Sequence, residues 1–358
     1  MAKLKSHYTS LEQRVAATFY YGFFPIEPVD ASQVDLQSFF TILSRELYEN
    51  TDRFGIKFQV DEFCIEQEAN GKDHKQALNR KISKSQPLIR QTLEVLQYLA
   101  ANGTIVDDRL VMEMDDFLAE RYQSPRLRFF FAAMAELGFH LIDGGELVTF
   151  HSETTSAMLP ALQALARACA THEDRQIGAF NFWHCDLRAL DTPNYVPPVE
   201  DLLSLFMEED IPRLMELHRY FIDRGFHTIT TIYNPTNWNI NYQGRQKVKP
   251  TPLYKVTFED RYINPLHVYI KPATMSSLIP LLPQQSLALQ EDYFARAVDC
   301  RGAECGHCKN LKSVGPILLN VKGESRTVCR YVDNSVYPFT NESIPLIKEY
   351  EQMHEQLT

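Results

Sequence analysis

Cys300, Cys305 and Cys308 stand as C-x4-C-x2-C, and Cys329 follows after twenty further residues. Four thiolates crowded in this way are ligands for a tetrahedral metal, and the pattern predicts a structural zinc ion held by all four. Cys305-Gly306-His307-Cys308 reads as a tight knuckle, with glycine letting the backbone turn its amides toward sulfur. Two close ligands on a turn and two more from flanking elements is the usual assembly of such a site. Arg296, Arg301, Lys309, Lys312, Lys322, Arg326 and Arg330 surround the cluster, and positive charge favours thiolate over thiol. C-x4-C-x2-C with a distant fourth cysteine is also the spacing of a plant-type [2Fe–2S] site, so iron–sulfur is the competing reading. A third reading leaves the cysteines without metal. His307 is a spare ligand, but two adjacent ligands at 307 and 308 would strain the site.

A second group of polar residues comes from alternation. Trp238, Ile240 and Tyr242 alternate with Asn239 and Asn241, and Tyr254, Val256 and Phe258 with Lys255, Thr257 and Glu259. Leu266, Val268 and Ile270 alternate with His267, Tyr269 and Lys271. Period-2 patterning of this kind predicts an antiparallel meander with one apolar and one polar face. Lys255, Glu259, His267, Tyr269 and Lys271 are the candidate ligand-binding residues on the polar face, against the plainer reading of a solvated sheet side. His184-Cys185-Asp186 puts imidazole, thiol and carboxylate together in sequence. Catalytic partners meet in space rather than along the chain, so Cys185 beside Trp183 reads as core. No P-loop, dinucleotide fingerprint, H-E-x-x-H or nucleophile-elbow motif occurs. Without a signature for a reaction, the chain reads as a ligand-binding or regulatory protein with a structural zinc. An enzyme built on the polar sheet face and an iron–sulfur redox protein are the alternatives.

Composition agrees with a globular chain of more than one domain: 358 residues, 44% hydrophobic and 23% charged. The formal charge of −10 repels nucleic acid and anionic membranes, which makes nucleic acid an unlikely partner and leaves a small molecule or protein. Val15 to Phe24 is apolar but too short to span a bilayer, and Glu12 and Arg14 break any export leader. Seven cysteines, unevenly spread, argue against a disulfide framework and for a reducing, cytoplasmic setting.

The elements that would position these groups read as α+β. Residues 1–85 are predicted helical, with Leu11–Phe24 and Leu36–Tyr48 at helical spacing and a basic stretch from Gly71 to Arg90. Residues 86–190 read as helix (Leu88–Ala101), strand (Thr104–Val106), helix (Asp108–Tyr122), a helix opened by Ser124-Pro125, and a hairpin turning at Asp143-Gly144-Gly145-Glu146. That is the order of a winged-helix module, although its candidate recognition helix, with Phe129, Phe130 and Phe131, wants burial rather than a DNA groove. A helix follows over Ser156–Ala170, Ala179–Leu187 reads as a buried strand, and Asp191–Pro198 with three prolines as a linker. Residues 199–298 hold the sheet, covered by helices over Ile211–Arg224 and Met275–Ala297, and 299–358 form the metal-binding tail. With Trp238-Asn239-Ile240-Asn241-Tyr242, Leu253-Tyr254-Lys255-Val256 and the four clustered cysteines, the run from Ile211 onward resembles uncharacterised bacterial families. These are built as helix, antiparallel strands, helix and a cysteine cluster, and the resemblance implies a fold and a metal but no activity.

Overall fold

The computed structural model describes residues 27–54, 90–205, 210–234, 237–244, 253–259, 266–270, 278–300, 317–333, 336–338 and 342–356. The predicted helix over Leu11–Phe24, nearly all of the basic stretch before Arg90, Lys271, Cys305 and Cys308 lie outside them. The architecture is mixed α and β with antiparallel sheets, and the chain divides into two compact units.

The first unit runs to Ile211 and takes in Ile232–Trp238. Helix α1 (Ala31–Glu49) starts at Asp30, whose carboxylate accepts from the Gln33 amide. Helix α2 covers 90–102 and stops at Gly103, as Asn102-Gly103 predicts. Strands β1 (Thr104–Val106) and β2 (Arg109–Glu113) follow, then α3 (Asp116–Tyr122), α4 (Pro125–Ala135), β3 (Phe139–Asp143) and β4 (Leu147–Ser152). The sheet order is β1-β2-β4-β3. Ser124 caps α4 and Pro125 opens it, and the Asp143 carboxylate accepts from the Gly145 amide in the β3–β4 turn; both were legible. The helix predicted over Asp108–Tyr122 is corrected. Asp107 and Asp108 take positive φ of 44° and 59°, a two-residue turn that folds Thr104–Glu113 into a hairpin. Only the part after the Asp115 cap is helical.

Leu110, Phe150 and Leu141 are register partners across β2, β4 and β3, and all are buried. Phe39 of α1 meets Phe139 edge-on, with ring centroids 4.7 Å apart. Each such buried ring contributes about 1.5–3 kcal/mol. Helix α5 (Leu159–Ala170) ties the helical layer together: its Ala161 amide donates to Ser32 Oγ (2.9 Å) and Gln163 Nε2 to the Gly103 carbonyl (2.8 Å). Those bonds satisfy backbone groups that the helix ends leave open.

Ala179–Leu187 is not a strand. Asp174 caps helix α6 (Arg175–Trp183), which is followed by a 3-10 turn, Leu187–Leu190. A short apolar run does not distinguish buried strand from buried helix by period, and here the cap decides. Gly178 lets α6 approach α5 so closely that a Cβ there would sit 2.2 Å from the Cys169 carbonyl oxygen. Gly178→Ala is therefore expected to destabilise the first unit by about 1–3 kcal/mol, read as a fall in the urea midpoint; an unchanged midpoint contradicts this packing. The proline-rich segment 191–198 is held rather than loose, because the Tyr195 carbonyl accepts from Asn181 Nδ2 (2.8 Å) and from His172 Nε2 (3.2 Å). His172 Nδ1 accepts from the Asp174 amide, which fixes the proton on Nε2. Helix α7 (Val199–Ser204) ends this stretch.

The second unit holds Pro212–Thr231, Asn239–Phe258 and the described residues from Leu266 onward. Helix α8 (Ile211–Asp223) leads into β5 (His227–Asn234), β6 (Asn237–Gln243), β7 (Leu253–Glu259) and β8 (Leu266–Ile270). Helix α9 (Leu287–Arg296), β9 (Ala297–Asp299), β10 (Ile317–Val321), β11 (Glu324–Asp333), β12 (Val336–Pro338) and α10 (Ser343–Glu355) complete the chain. The five-stranded sheet has the order β12-β8-β7-β6-β5, and β10-β11-β9 forms a separate three-stranded sheet.

The predicted meander and its apolar face are present: Ile240, Tyr242, Tyr254 and Val256 are buried. Phe221 of α8 lies 4.8 Å, ring to ring, from both Tyr242 and Tyr254. The second covering helix is α10, whose His354 bonds Tyr254. The single helix predicted over Met275–Ala297 is interrupted among the described residues. Ile279–Gln284 is a 3-10 turn containing Pro283, and α9 begins afresh at the Ser286 cap. It packs on β10 and α10. Among the described residues no helix is long and apolar enough to cross a membrane.

Candidate metal centre

Two of the four predicted metal ligands, Cys300 and Cys329, are described, on the paired strands β9 and β11 and their ends. Strand β9 runs antiparallel to β11 with Asp299 opposite Val328, and the Cys300 amide donates to the Thr327 carbonyl (2.9 Å). Strand β10 pairs Ile317 with Val328 and Leu319 with Arg326. Val328, Leu319 and Val321 are buried while Thr327 and Leu318 are exposed, so the two faces of this sheet are distinct. The pairing sets Cys300 opposite Thr327, two residues before Cys329 along β11, and Cys329 is buried. The register shifts between Val328 and Asp333, and a bulge of this kind re-aims side chains where a site needs them.

Arg326 fixes the approach to Cys300. Its Nε lies 3.0 Å from Asp299 Oδ1, and Nη2 donates to the Ala297 carbonyl at 3.0 Å. A guanidinium that grips strand β9 at both ends holds the residue that follows it in place. Three of the basic residues near the cluster have carboxylate partners. Arg296 pairs with Asp292, Lys322 with Glu291 and Arg326 with Asp299. Among the described residues no group of three or more His, Cys, Asp and Glu side chains could hold a metal. Cys305 and Cys308, the knuckle pair, lie outside those residues.

On the polar sheet face, Lys255 is the register partner of Tyr269, and His267 is opposite Thr257. Glu259 closes β7. Lys255 is half-buried, and Asn239, which alternation assigns to the same kind of position on β6, is buried and accepts from Asn241 Nδ2 (2.7 Å). His184, Cys185 and Asp186 form the turn after α6, and Cys185 is fully buried at positive φ. Burial pushes its thiol well above the ordinary range and that of Cys169 up to about 12. Neither is a nucleophile at neutral pH.

Two buried ionic clusters were not legible. In the first unit Asp186, fully buried, receives both Nε (2.8 Å) and Nη2 (2.9 Å) of Arg188, and Arg188 also pairs with Asp201. Burial raises the Asp186 carboxyl and the arginine opposes that rise. In the second unit buried Glu351 accepts from Tyr220 Oη (2.8 Å), and Arg224 Nε lies 2.6 Å away with its N–H poorly aligned to the oxygen. In this second cluster Tyr220 and Arg224 lie more than a hundred residues from Glu351, so no local spacing announces the pairing.

His354 sits beside this cluster with Nδ1 bonded to Tyr254 Oη and Nε2 unpartnered. Burial lowers its pKa from 6.5 to about 4. The unfolded chain binds a proton there as pH falls below 6.5 and the folded chain does not until about pH 4. Stability from keeping His354 neutral is therefore full above 6.5 and is lost as pH falls through that window, by about 3 kcal/mol. Glu351, whose carboxyl burial raises, contributes with the opposite sign. Urea unfolding of His354→Phe between pH 7 and pH 4 isolates the histidine: the wild-type loss relative to the variant is the expected result, and parallel pH profiles contradict it.

No protein-family model, no curated protein and no solved structure matches the chain, so its function is argued from geometry.

Proposed function

We propose that this chain is a ligand-binding or regulatory protein whose second unit is held together by a structural zinc ion on Cys300, Cys305, Cys308 and Cys329. The observation that supports the zinc is the β9–β11 pairing, with Cys300 opposite Thr327 and so two residues along β11 from Cys329. Zinc is favoured over a [2Fe–2S] cluster because a structural ion can stabilise a small sheet with little core of its own. The non-enzymatic reading is supported by the buried titratable groups, Asp186, Glu351 and His354, which are bound to neighbouring side chains inside the packing.

In the first unit the reading extends to a winged-helix-like module. Helix α2, strand β2, helices α3 and α4 and the β3–β4 hairpin follow one another, with β2-β4-β3 as neighbours and β1 added at the edge. Helix α4 buries Leu127, Phe130, Phe131 and Met134, which disfavours a DNA groove as its destination and leaves a small molecule or protein as the partner. The cytoplasm suits a chain in which buried Cys169 and Cys185 are both free thiols.

Cobalt substitution tests the ligand set. A tetrahedral all-thiolate site gives intense visible and thiolate-to-metal charge-transfer bands, and Cys300→Ser and Cys329→Ser are each expected to weaken them. A pale spectrum untouched by either substitution contradicts the site.

A further inference from the structure

Helix α2 presents Arg90, Leu93, Glu94, Gln97, Tyr98 and Ala101 along one stripe, spaced three and four residues apart, to a cleft of about 580 Å³. Helix α6 contributes Arg175, Gln176, Ala179, Phe182 and Trp183 to the lining, with Phe117 of α3 and Tyr233 of β5. The volume is that of a small-molecule site.

The lining defines what would fit. Phe182 and Trp183 are buried from solvent yet border the cleft. Tyr98 has its hydroxyl engaged by Asp115 and its ring 4.4 Å from that of Phe117. It therefore offers the cleft an aromatic face rather than a free donor. Ala101, Ala170 and Ala179 keep the walls low, and a planar ring gains most from such surroundings.

Charge adds the second element. Glu94 is paired with Arg90 at 3.6 Å and with Arg121 at 3.8 Å. Arg175, at the start of α6, has no carboxylate partner among the described residues. Asp174 already satisfies the first amides of α6, so the arginine side chain, not the helix end, is the available cation. Gln97 and Gln176 supply neutral donors and acceptors beside it.

We infer that this cleft binds a small planar aromatic carboxylate, its ring among Tyr98, Phe182 and Trp183 and its carboxylate on Arg175. The inference rests on the ligand-binding reading but assigns the ligand to a cleft of the first unit rather than to the cysteines or to the candidate residues Lys255, Glu259, His267, Tyr269 and Lys271.

Calorimetric titration of the full chain with naphthalene-2-carboxylate tests it, with naphthalene-2-carboxamide and cyclohexanecarboxylate as controls for charge and planarity. Saturable binding of the aromatic carboxylate is expected, tighter than either control. Arg175→Gln is expected to weaken the carboxylate about tenfold or more while leaving the carboxamide unchanged, as the loss of one charge-assisted contact requires. Ala179→Leu fills the cleft and is expected to abolish binding, with thermal unfolding checking that both variants fold. An absence of binding by the wild type overturns the inference, as does binding indifferent to both substitutions. Binding that survives both but is lost in Lys255→Ala also overturns the cleft, while keeping the ligand-binding reading with the site on the sheet face.

Discussion

Removing the proposed zinc, by a chelator or by Cys329→Ser, is expected to unfold the β10-β11-β9 sheet while the first unit keeps its structure. Strand β9 is three residues long, and among the described residues the buried aliphatic side chains along β10 and β11 are Leu319, Val321 and Val328. A structural zinc contributes on the order of 10 kcal/mol to local folding. Hydrogen exchange followed by mass spectrometry separates the two outcomes. Peptides covering 297–299 and 317–333 are expected to lose protection on chelation, and those covering 139–152 to keep it. Full protection of the sheet in the chelated protein would mean that Arg326, α9 and α10 suffice to hold it.

Arg188→Ala is the second large effect, with an expected loss of about 3–5 kcal/mol. Asp186 is completely buried and receives two nitrogens of the same guanidinium. Its carboxylate would be left in the interior with the Arg188 amide as its remaining described donor. The cost comes from stranding that charge, not from the intrinsic strength of the pair, so Asp186→Asn in the same chain is expected to recover part of it. A double-mutant cycle by urea unfolding reads both numbers. A loss below about 1 kcal/mol for Arg188→Ala would mean that water reaches Asp186 as freely as it reaches an exposed pair.

What the sequence made legible were the features carried by neighbouring residues. Ser124-Pro125 announces α4, Asn102-Gly103 ends α2, and the alternation from Trp238 to Tyr242 and from Tyr254 to Val256 separates the buried face from the polar one. Periodicity failed where the run was short. Ala179–Leu187 is apolar at almost every position, and the helix there depends on the Asp174 cap and on Gly178 fitting against Cys169. The Asp107-Asp108 turn was hidden because two acidic residues inside a longer polar pattern also suit a helix start. Arg224 with Glu351 and Tyr254 with His354 were beyond reach, since each pair joins elements that only the fold brings together. The cysteine cluster lies between these cases: its spacing is local, but that Cys300 comes opposite Thr327, two residues from Cys329, depends on β9 pairing with β11.

Metal content tests the central claim most directly. Elemental mass spectrometry on the purified full chain, with a visible absorption spectrum of the same sample, is expected to give a single zinc per chain and no visible band. That zinc should be absent from Cys329→Ser. Stoichiometric iron with a visible charge-transfer band, or a folded chain carrying no metal at all, would contradict the structural zinc.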